Sequence, residues 1–147
     1  GGNGNVNWKV MNNIVLRGTV TAPGRLIGDY IVGSASNAKF NTLTAAVRAL
    51  NALGVRGNTN LILDNTTYNR ASNEIFPIVF NNYVGNETYT VTVKPNTGRT
   101  VTVEASNDNW NFIPPAVFKL NGTDNVIFDG SNNGTDSKNY CFHRFWE

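Results

Sequence analysis

The sequence predicts an all-β fold with one amino-terminal capping α-helix, built as a short right-handed parallel β-helix. Only residues 40–55 repeat apolar residues at helical spacing. The segments after residue 57 are short, alternate polar with apolar residues, and are separated by turns rich in Asn, Gly and Thr. An antiparallel β-sandwich is the alternative, in which the tetrapeptides PNTG and NGTD would be hairpin loops.

Length and composition narrow the class of protein. A chain of 147 residues fits one domain, residues 1–147, with a single continuous core. The net charge of +2 comes from scattered Lys and Arg without a basic stripe, so we expect no nucleic-acid partner. No apolar run approaches ~18 residues, so we expect no membrane span. The single Cys, Cys141, excludes an internal disulfide and a thiolate-rich metal site.

The residues ahead of the helix divide into two parts. Residues 1–9 are rich in Gly and Asn, which predicts a flexible lead. Residues 10–39 are predicted to form leading strands and a loop: the heptapeptide IVLRGTV is a first strand, and Leu26–Val32 is a second extended segment. A polar loop then connects to the helix.

The predicted capping helix spans residues 40–55. Asn41 or Thr42 can cap its start, and Gly54 can end it in a left-handed conformation. One end of a β-helix exposes its interior and an unpaired strand edge, and an amphipathic helix laid across that end covers both. The apolar face of this helix comprises Leu43, Ala46, Val47, Leu50 and Leu53.

Residues 60–130 are predicted to form about three β-helix coils. Corresponding positions, such as Val93 and Leu120 or Val103 and Phe128, recur at about 25 to 29 residues, a period typical of solenoids. Pro77 places its strand at an edge or in an irregular position. The predicted strands are residues 61–63, 75–80, 88–95, 99–106, 116–120 and 125–130. The predicted interior residues are Leu61, Leu63, Ile78, Val91, Val93, Val101, Val103, Val117, Phe118, Leu120, Ile127 and Phe128.

Residues 131–147 are interpreted as an aromatic tail. Tyr140, Phe142, Phe145 and Trp146 fall within its last eight residues and break the Asn/Thr-rich texture of the preceding chain. Three explanations stay open: the tail caps the open carboxy-terminal end, it forms a homo-oligomer contact there, or it comes from an altered reading frame.

Three segments carry a resemblance to a known superfamily. GDYIVG (28–33), KFNTLTAAVRALNALGVRG (39–57) and NLILDNTTYN (60–69) resemble the start of right-handed parallel β-helix proteins of the pectate-lyase-like superfamily. FKLNGTDNVIFDGSNNGTDSKN (118–139) is similar to repeats of large secreted surface proteins of Bacteroidetes with type IX secretion sorting domains. The resemblance implies the fold and a secreted or cell-surface location in a Gram-negative bacterium.

The resemblance leaves the activity open. Enzymes of this superfamily carry their catalytic groups on later coils, as acidic calcium ligands with an Arg in lyases and paired Asp in methylesterases and polygalacturonases. No position here matches those motifs. The Tyr-x-Glu turn of pectin methylesterases is present as Tyr68-Asn69-Arg70, without the acid.

Acidic residues are the first candidates for chemistry. If the chain is an enzyme, Asp108, Asp124 or Asp129 would act as acid, base or metal ligand. Asp129, Ser131 and Asn133 place oxygen ligands at alternate positions before a Gly, the opening pattern of a calcium loop. The twelfth position is Tyr140 instead of a bidentate acid, so a polar turn with Asx hydrogen bonds is favoured and no cofactor is expected.

Two further groups of residues are candidates for a functional role. Cys141, His143 and Glu147 are the only nucleophile-like cluster, and their place in the aromatic terminus favours an incidental grouping. The aromatic rings in or beside loops could stack on sugar faces, with coverage of the solenoid sides as the favoured alternative. These rings belong to Tyr83, Tyr89, Trp110 and Phe112.

These sequence features suggest three functions. The first is a non-catalytic module of a bacterial secreted or surface protein that binds a polysaccharide or a surface protein. The second is a carbohydrate-active enzyme, a polysaccharide lyase, glycoside hydrolase or carbohydrate esterase. The third is a self-assembling structural unit that stacks through coil edges or the aromatic tail.

Overall fold

A computed structural model of the chain describes residues 24–105, 116–133, 140–142 and 145–146. They form ten strands, one α-helix and one 3₁₀ turn, in the order β1 (Leu26–Val32), α1 (Leu43–Leu53), β2 (Val55–Leu63), β3 (Thr67–Tyr68), the turn Arg70–Ser72, β4 (Ile78–Asn81), β5 (Val91–Pro95), β6 (Val101–Val103), β7 (Phe118–Asn121), β8 (Val126–Phe128), β9 (Tyr140–Phe142) and β10 (Phe145–Trp146). The predicted strand within residues 10–20 lies outside the described residues.

The strands form three sheets, and every strand pair among the described residues is parallel. Sheet 1 has the order β1-β2-β5-β8, sheet 2 the order β3-β6-β9, and sheet 3 the order β10-β7-β4. From β2 onward the chain visits sheets 1, 2 and 3 in turn, in three circuits: β2-β3-β4, β5-β6-β7 and β8-β9-β10. The fold is therefore all-β with parallel sheets and one helix. PNTG and NGTD are not hairpin loops, because each joins strands of different sheets.

The repeat is longer than predicted. Asn60 and Asp29, on neighbouring strands, are 31 residues apart, and Asn121 and Asn81 are 40 apart. The two pairings on which the period of about 25 to 29 residues rested are wrong, because Val93 pairs with Phe128 and Val103 with Phe142. The error arose because consecutive Val- and Thr-rich strands look alike but belong to different sheets.

Alternate side chains of each strand fill one continuous core. Of the predicted interior residues, Leu61, Leu63, Ile78, Val91, Val93, Val101, Val103, Val117 and Phe118 are buried. Leu120 and Phe128 are partly buried and pack against the core. Ile127 was wrongly assigned to the interior: it is 45% exposed, because its neighbours Val126 and Phe128 take the inward positions of β8.

The rings of three phenylalanines join sheet 3 to sheet 1 inside this core. The Phe118 and Phe128 rings lie 4.6 Å apart, and the Phe80 ring meets that of Phe128 edge-on at 5.9 Å. Such offset and edge-on contacts add to the hydrophobic stabilisation.

The predicted helix is confirmed, and its caps can be read directly. The Thr42 side chain accepts a hydrogen bond from the Ala45 N–H at 3.0 Å, the N-cap geometry expected for Thr. Gly54 ends the helix with φ 75° and ψ −172°, so φ is positive as predicted but ψ lies outside the left-handed helical region. Leu43, Ala46, Val47 and Leu50 are buried against the core, and Leu53 is partly buried.

Both exposed edges next to the helix are covered. Asn51 of α1 donates to the Val79 carbonyl at 2.8 Å and accepts from the Asn81 N–H at 2.9 Å, so its amide pairs with the free edge of β4. On β1, the Ile31 carbonyl accepts from the Lys39 N–H at 2.8 Å. These contacts satisfy backbone groups that edge strands otherwise leave unpaired.

The observed bounds of all six predicted strands differ from the prediction, and two of the differences have a clear cause. β2 begins at Val55 instead of residue 61, because Gly57 and Thr59 occupy buried positions but lack the large apolar side chains by which a strand is recognised in the sequence. β4 begins at Ile78, after Pro77, which lacks the N–H that a strand interior needs. The segment interpreted as an aromatic tail contributes β9 beside β6 and β10 beside β7, so it continues the circuits.

Candidate functional site

A groove of about 300 Å³ runs over the outer face of sheet 1, and we call it the sheet-1 groove. The strand register explains which side chains meet there. Ile62 of β2 pairs with Lys94 of β5, and Asp29 of β1 pairs with Asn60 of β2. These side chains point outward because the residues between them fill the core. Its lining residues are Asp29, Ile62, Lys94, Pro95, Asn96, Thr97, Asp129, Ser131 and Asn132.

Charged groups flank an aliphatic floor in this groove. The Asp29 carboxylate accepts a hydrogen bond from the Asn60 amide at 2.7 Å, which fixes one of its oxygens. Within the described part of the chain, the Lys94 ammonium makes no salt bridge, since the one pair found there joins Arg99 to Asp64. Lys94 is therefore a cation of the groove without a described salt bridge, and Ile62, which is 8% exposed, contributes a small apolar patch to the lining.

The acidic candidates do not come together. Asp124 precedes β8 and Asp129 follows it, so the two carboxylates lie at opposite ends of that strand. The Asp124 N–H is held by the Asn86 side chain at 3.0 Å, in a corner away from the sheet-1 groove. Asp108 lies outside the described residues. Asp129 is thus the only one of the three that the structure places in the groove.

The carboxylates within the groove are also far apart. Asp29 is on β1 and Asp129 follows β8, which are the two outer strands of sheet 1. Three strand spacings of about 4.8 Å separate them by roughly 14 Å. Paired carboxylates of glycosidases lie within about 9.5 Å of each other, so Asp29 and Asp129 do not form such a pair.

The calcium candidate adopts an ordinary polar turn. The Asp129 carboxylate accepts from the Ser131 N–H at 2.8 Å, the hydrogen bond of an Asx turn. Asn133 is exposed on the same turn. No group of three or more potential metal-ligating His, Cys, Asp or Glu residues occurs among the described residues.

The aromatic candidates differ in exposure. Tyr83 is 2% exposed, so its ring offers no face to a ligand. Tyr89 is half-buried and packs against the core, which leaves part of its ring accessible. Trp110 and Phe112 lie outside the described residues, as do His143, Glu147 and the side chain of Cys141.

Two buried tyrosines carry shifted pKa values. Burial raises the pKa of Tyr68 to about 12, against the effect of its hydrogen bonds to the backbone at Asn65 and Asp64. The Tyr68 hydroxyl donates to the Val32 carbonyl at 2.5 Å and accepts from the Asn65 N–H at 3.0 Å. Burial also raises the pKa of Tyr83. Its hydroxyl lies near the Thr123 side chain but has no hydrogen bond of good geometry among the described residues.

Sequence reasoning missed the most buried carboxylate. Glu74 is 4% exposed, and its oxygens accept from the Leu43 N–H at 2.9 Å, the Thr44 N–H at 2.7 Å and the Thr44 hydroxyl at 2.6 Å. This acid is explained by its structural role at the helix N-terminus. Asp29 and Lys94 were also missed, since only strand register brings them into one groove.

No described helix has the length and apolarity needed to cross a membrane. A scan against protein-family models and searches of curated proteins and solved structures found no match to this chain.

Proposed function

We propose that the chain is the helix-capped end of a right-handed parallel β-helix in a secreted or surface protein, and that it binds glycan chains in the sheet-1 groove without modifying them. The β-helix is supported by the repeated order of the three sheets and by parallel pairing throughout. Right-handed connections are the rule for parallel strands.

The sheet-1 groove is the observation that carries the binding proposal. Sugars combine an apolar ring face with hydroxyl groups on their rims. Ile62, which is 8% exposed, contributes a small aliphatic patch. The Lys94 ammonium, the Asp29 carboxylate and the second amide N–H of Asn96, whose first donates to Asp64, supply donors and acceptors beside it. The groove spans strands of all three circuits and β1, which suits an extended chain better than a single small molecule.

A glycan array probed with the full chain, followed by calorimetry on the best oligosaccharide, tests this proposal. Lys94→Ala should weaken binding about tenfold, since it removes a charged hydrogen bond donor from the groove. Lys119→Ala is the matched control, because Lys119 is an exposed lysine of β7 outside the groove. Binding that survives Lys94→Ala, or an array without any bound glycan, contradicts the assignment.

An enzyme acting on polysaccharide is the competing function. The wide separation of Asp29 and Asp129 argues against paired-acid hydrolysis there. A degradation screen of polysaccharides with and without calcium separates the two functions, because a binding module releases no products. If products appear, Asp129→Ala and Asp124→Ala show whether these acids take part.

Self-association is a second candidate function, and one strand edge of sheet 1 favours it. β8 is the outer strand of sheet 1, and Ile127 on it is 45% exposed. A strand edge that has no partner among the described residues and carries an apolar side chain is a site where another chain can pair. Sedimentation velocity over a wide concentration range tests this, and a mass that stays monomeric throughout excludes it.

A further inference from the structure

A second groove, of about 220 Å³, lies between α1 and β4, and we call it the helix groove. Residues one helical turn apart on α1 form one wall, because positions i, i+3, i+4 and i+7 share a helix face. The residues that lead into β4 form the other wall. The groove is lined on the helix side by Val47, Arg48 and Asn51, and on the other side by Ile75, Pro77 and Val79.

The walls of the helix groove are largely aliphatic. Val47 is almost fully buried at its base, whereas Ile75 is 55% exposed at its mouth. Ile75 is the second most exposed large apolar side chain among the described residues, after Val84. An aliphatic ligand seated in the groove would remove this side chain from water, with a gain proportional to the area covered.

One cation, the guanidinium of Arg48, lies beside this aliphatic surface. Arg48 is exposed and makes no salt bridge to any described carboxylate. Beside it, the Asn51 amide uses one N–H on the Val79 carbonyl, which leaves its second N–H for a ligand. A guanidinium and an amide N–H together match the two oxygens of a carboxylate.

The buried acid Glu74, which precedes Ile75 in the sequence, is engaged elsewhere. Glu74 lies at the N-terminus of α1, where its carboxylate is held by Leu43 and Thr44. Glu74 does not line the helix groove. The electrostatic character of the groove is therefore set by Arg48.

We propose that the helix groove binds a small free carboxylic acid with a branched aliphatic body. The carboxylate pairs with Arg48 and Asn51, and the aliphatic body packs against Ile75, Pro77 and Val79, which keep accessible surface in the groove. The volume supports a small ligand, because it lies below the range of about 300–1,000 Å³ found for drug-sized sites. This site is separate from the sheet-1 groove, so either can fail without the other.

Titration of the full chain with 4-methylpentanoate, followed by amide chemical shifts in ¹H–¹⁵N spectra, tests the proposal. A ligand of this size should bind with a Kd on the order of 1 mM and shift the amides of Val47, Arg48, Asn51 and Val79. The neutral isostere 4-methylpentanamide should bind at least about tenfold more weakly, because it lacks the charge that pairs with Arg48.

Two arginine variants provide the decisive comparison. Arg48→Gln should weaken binding of 4-methylpentanoate about tenfold and leave the weak binding of the amide unchanged. Arg56→Gln is the matched control, since Arg56 is an exposed arginine of β2 outside the helix groove. Both side chains are exposed, so both variants should fold, and the dispersion of their spectra verifies this.

Three outcomes overturn the proposal. One is the absence of shifts at the groove, and another is equal affinity for the acid and the amide. The third is tighter binding of N-acetyl-Ala-Ala-Leu than of 4-methylpentanoate, which would assign the groove to the carboxy-terminal residue of a peptide instead of a free acid.

Discussion

At the scale of single residues, asparagine side chains hold the successive circuits together. The Asn58 side chain accepts from the Thr90 N–H at 3.0 Å, and the Asn121 amide donates to the Asn81 side chain at 3.1 Å. Asn125 donates to the Asn86 carbonyl at 2.8 Å. These bonds join residues more than 30 positions apart and link neighbouring circuits beside the backbone pairing of the strands. The Asn-rich composition is thus explained by contacts between circuits as well as by turns.

Glu74 shows how one residue can secure the helix. Glu74→Gln should lower the free energy of unfolding by about 2–4 kcal/mol, because an amide NH₂ would face backbone N–H donors and the charge at the helix N-terminus would be lost. Urea denaturation measures the change. Glu87→Gln, an exposed matched control, should change stability by less than about 0.5 kcal/mol. Equal stability of the two variants would show that Glu74 does not cap the helix.

Tyr68 makes stability depend on alkaline pH. Its pKa is about 12 in the folded chain and about 10 when unfolded, so the folded state holds its proton more tightly. Its contribution is complete below pH 10 and is lost as the pH rises from about 10 to 12, up to roughly 2–3 kcal/mol. Urea denaturation at pH 9 and pH 11.5 measures this loss.

The Tyr68 prediction has an internal control. Tyr68→Phe should reduce stability at pH 9, since it leaves the Val32 carbonyl and the Asn65 N–H unpaired. It should also make the alkaline decline smaller, with a remainder from Tyr83, whose pKa is likewise raised by burial. Tyr89→Phe changes a half-buried ring without these bonds and should keep the decline. An unchanged decline in Tyr68→Phe would assign it to another group.

At the scale of elements, α1 fills part of the core and also covers a strand edge. Its apolar face joins the core through Leu43 and Leu50, and the Asn51 amide pairs with the edge of β4 as a neighbouring strand would. Periodicity predicts the first role because it depends on spacing alone. The second could not be predicted, since it depends on which strand edge the helix meets.

Removal of the Asn51 amide should expose the β4 edge. Asn51→Ala is expected to lower the free energy of unfolding by about 1–3 kcal/mol, since the Val79 carbonyl and the Asn81 N–H lose their partner. Thermal unfolding and light scattering measure stability and aggregation together. Asn37→Ala, at an exposed position without a described side-chain hydrogen bond, should stay within about 0.5 kcal/mol of the parent. If both variants behave alike, the Asn51 bonds do not stabilise the edge.

At the scale of the whole molecule, local pattern predicted the element types but not their partners. The strands and the helix follow from alternation and periodicity, as at Val91 and Val93, whereas the parallel pairing is set by the register. The spacing between paired strands does not follow from these patterns, because loops of unequal length separate the strands. The sheet-1 groove was missed for the same reason: Asp29 and Lys94 are 65 positions apart in the sequence and meet only through the register of β1, β2 and β5. A candidate site whose residues come from several circuits can be predicted only after the strand register is known.

The stacked architecture predicts a gradient of local stability along sheet 1. Asp64 and Asp129 occupy equivalent positions, since each follows a sheet-1 strand and donates its N–H at 3.0 Å to the preceding strand, at Val32 and Val93 respectively. The strand before Asp64, β2, lies between β1 and β5, whereas β8 has one described neighbour. Stacked repeats open from their uncovered ends, so native-state hydrogen exchange should be at least about tenfold faster at Asp129 than at Asp64. The amide of Asn96, which follows β5, should exchange at a rate similar to that of Asp64.

Equal protection at Asp64 and Asp129 would mean that β8 is covered by a strand outside the described residues or by a second molecule. Measurements at lower protein concentration would distinguish these two cases, because only coverage by a second molecule depends on concentration.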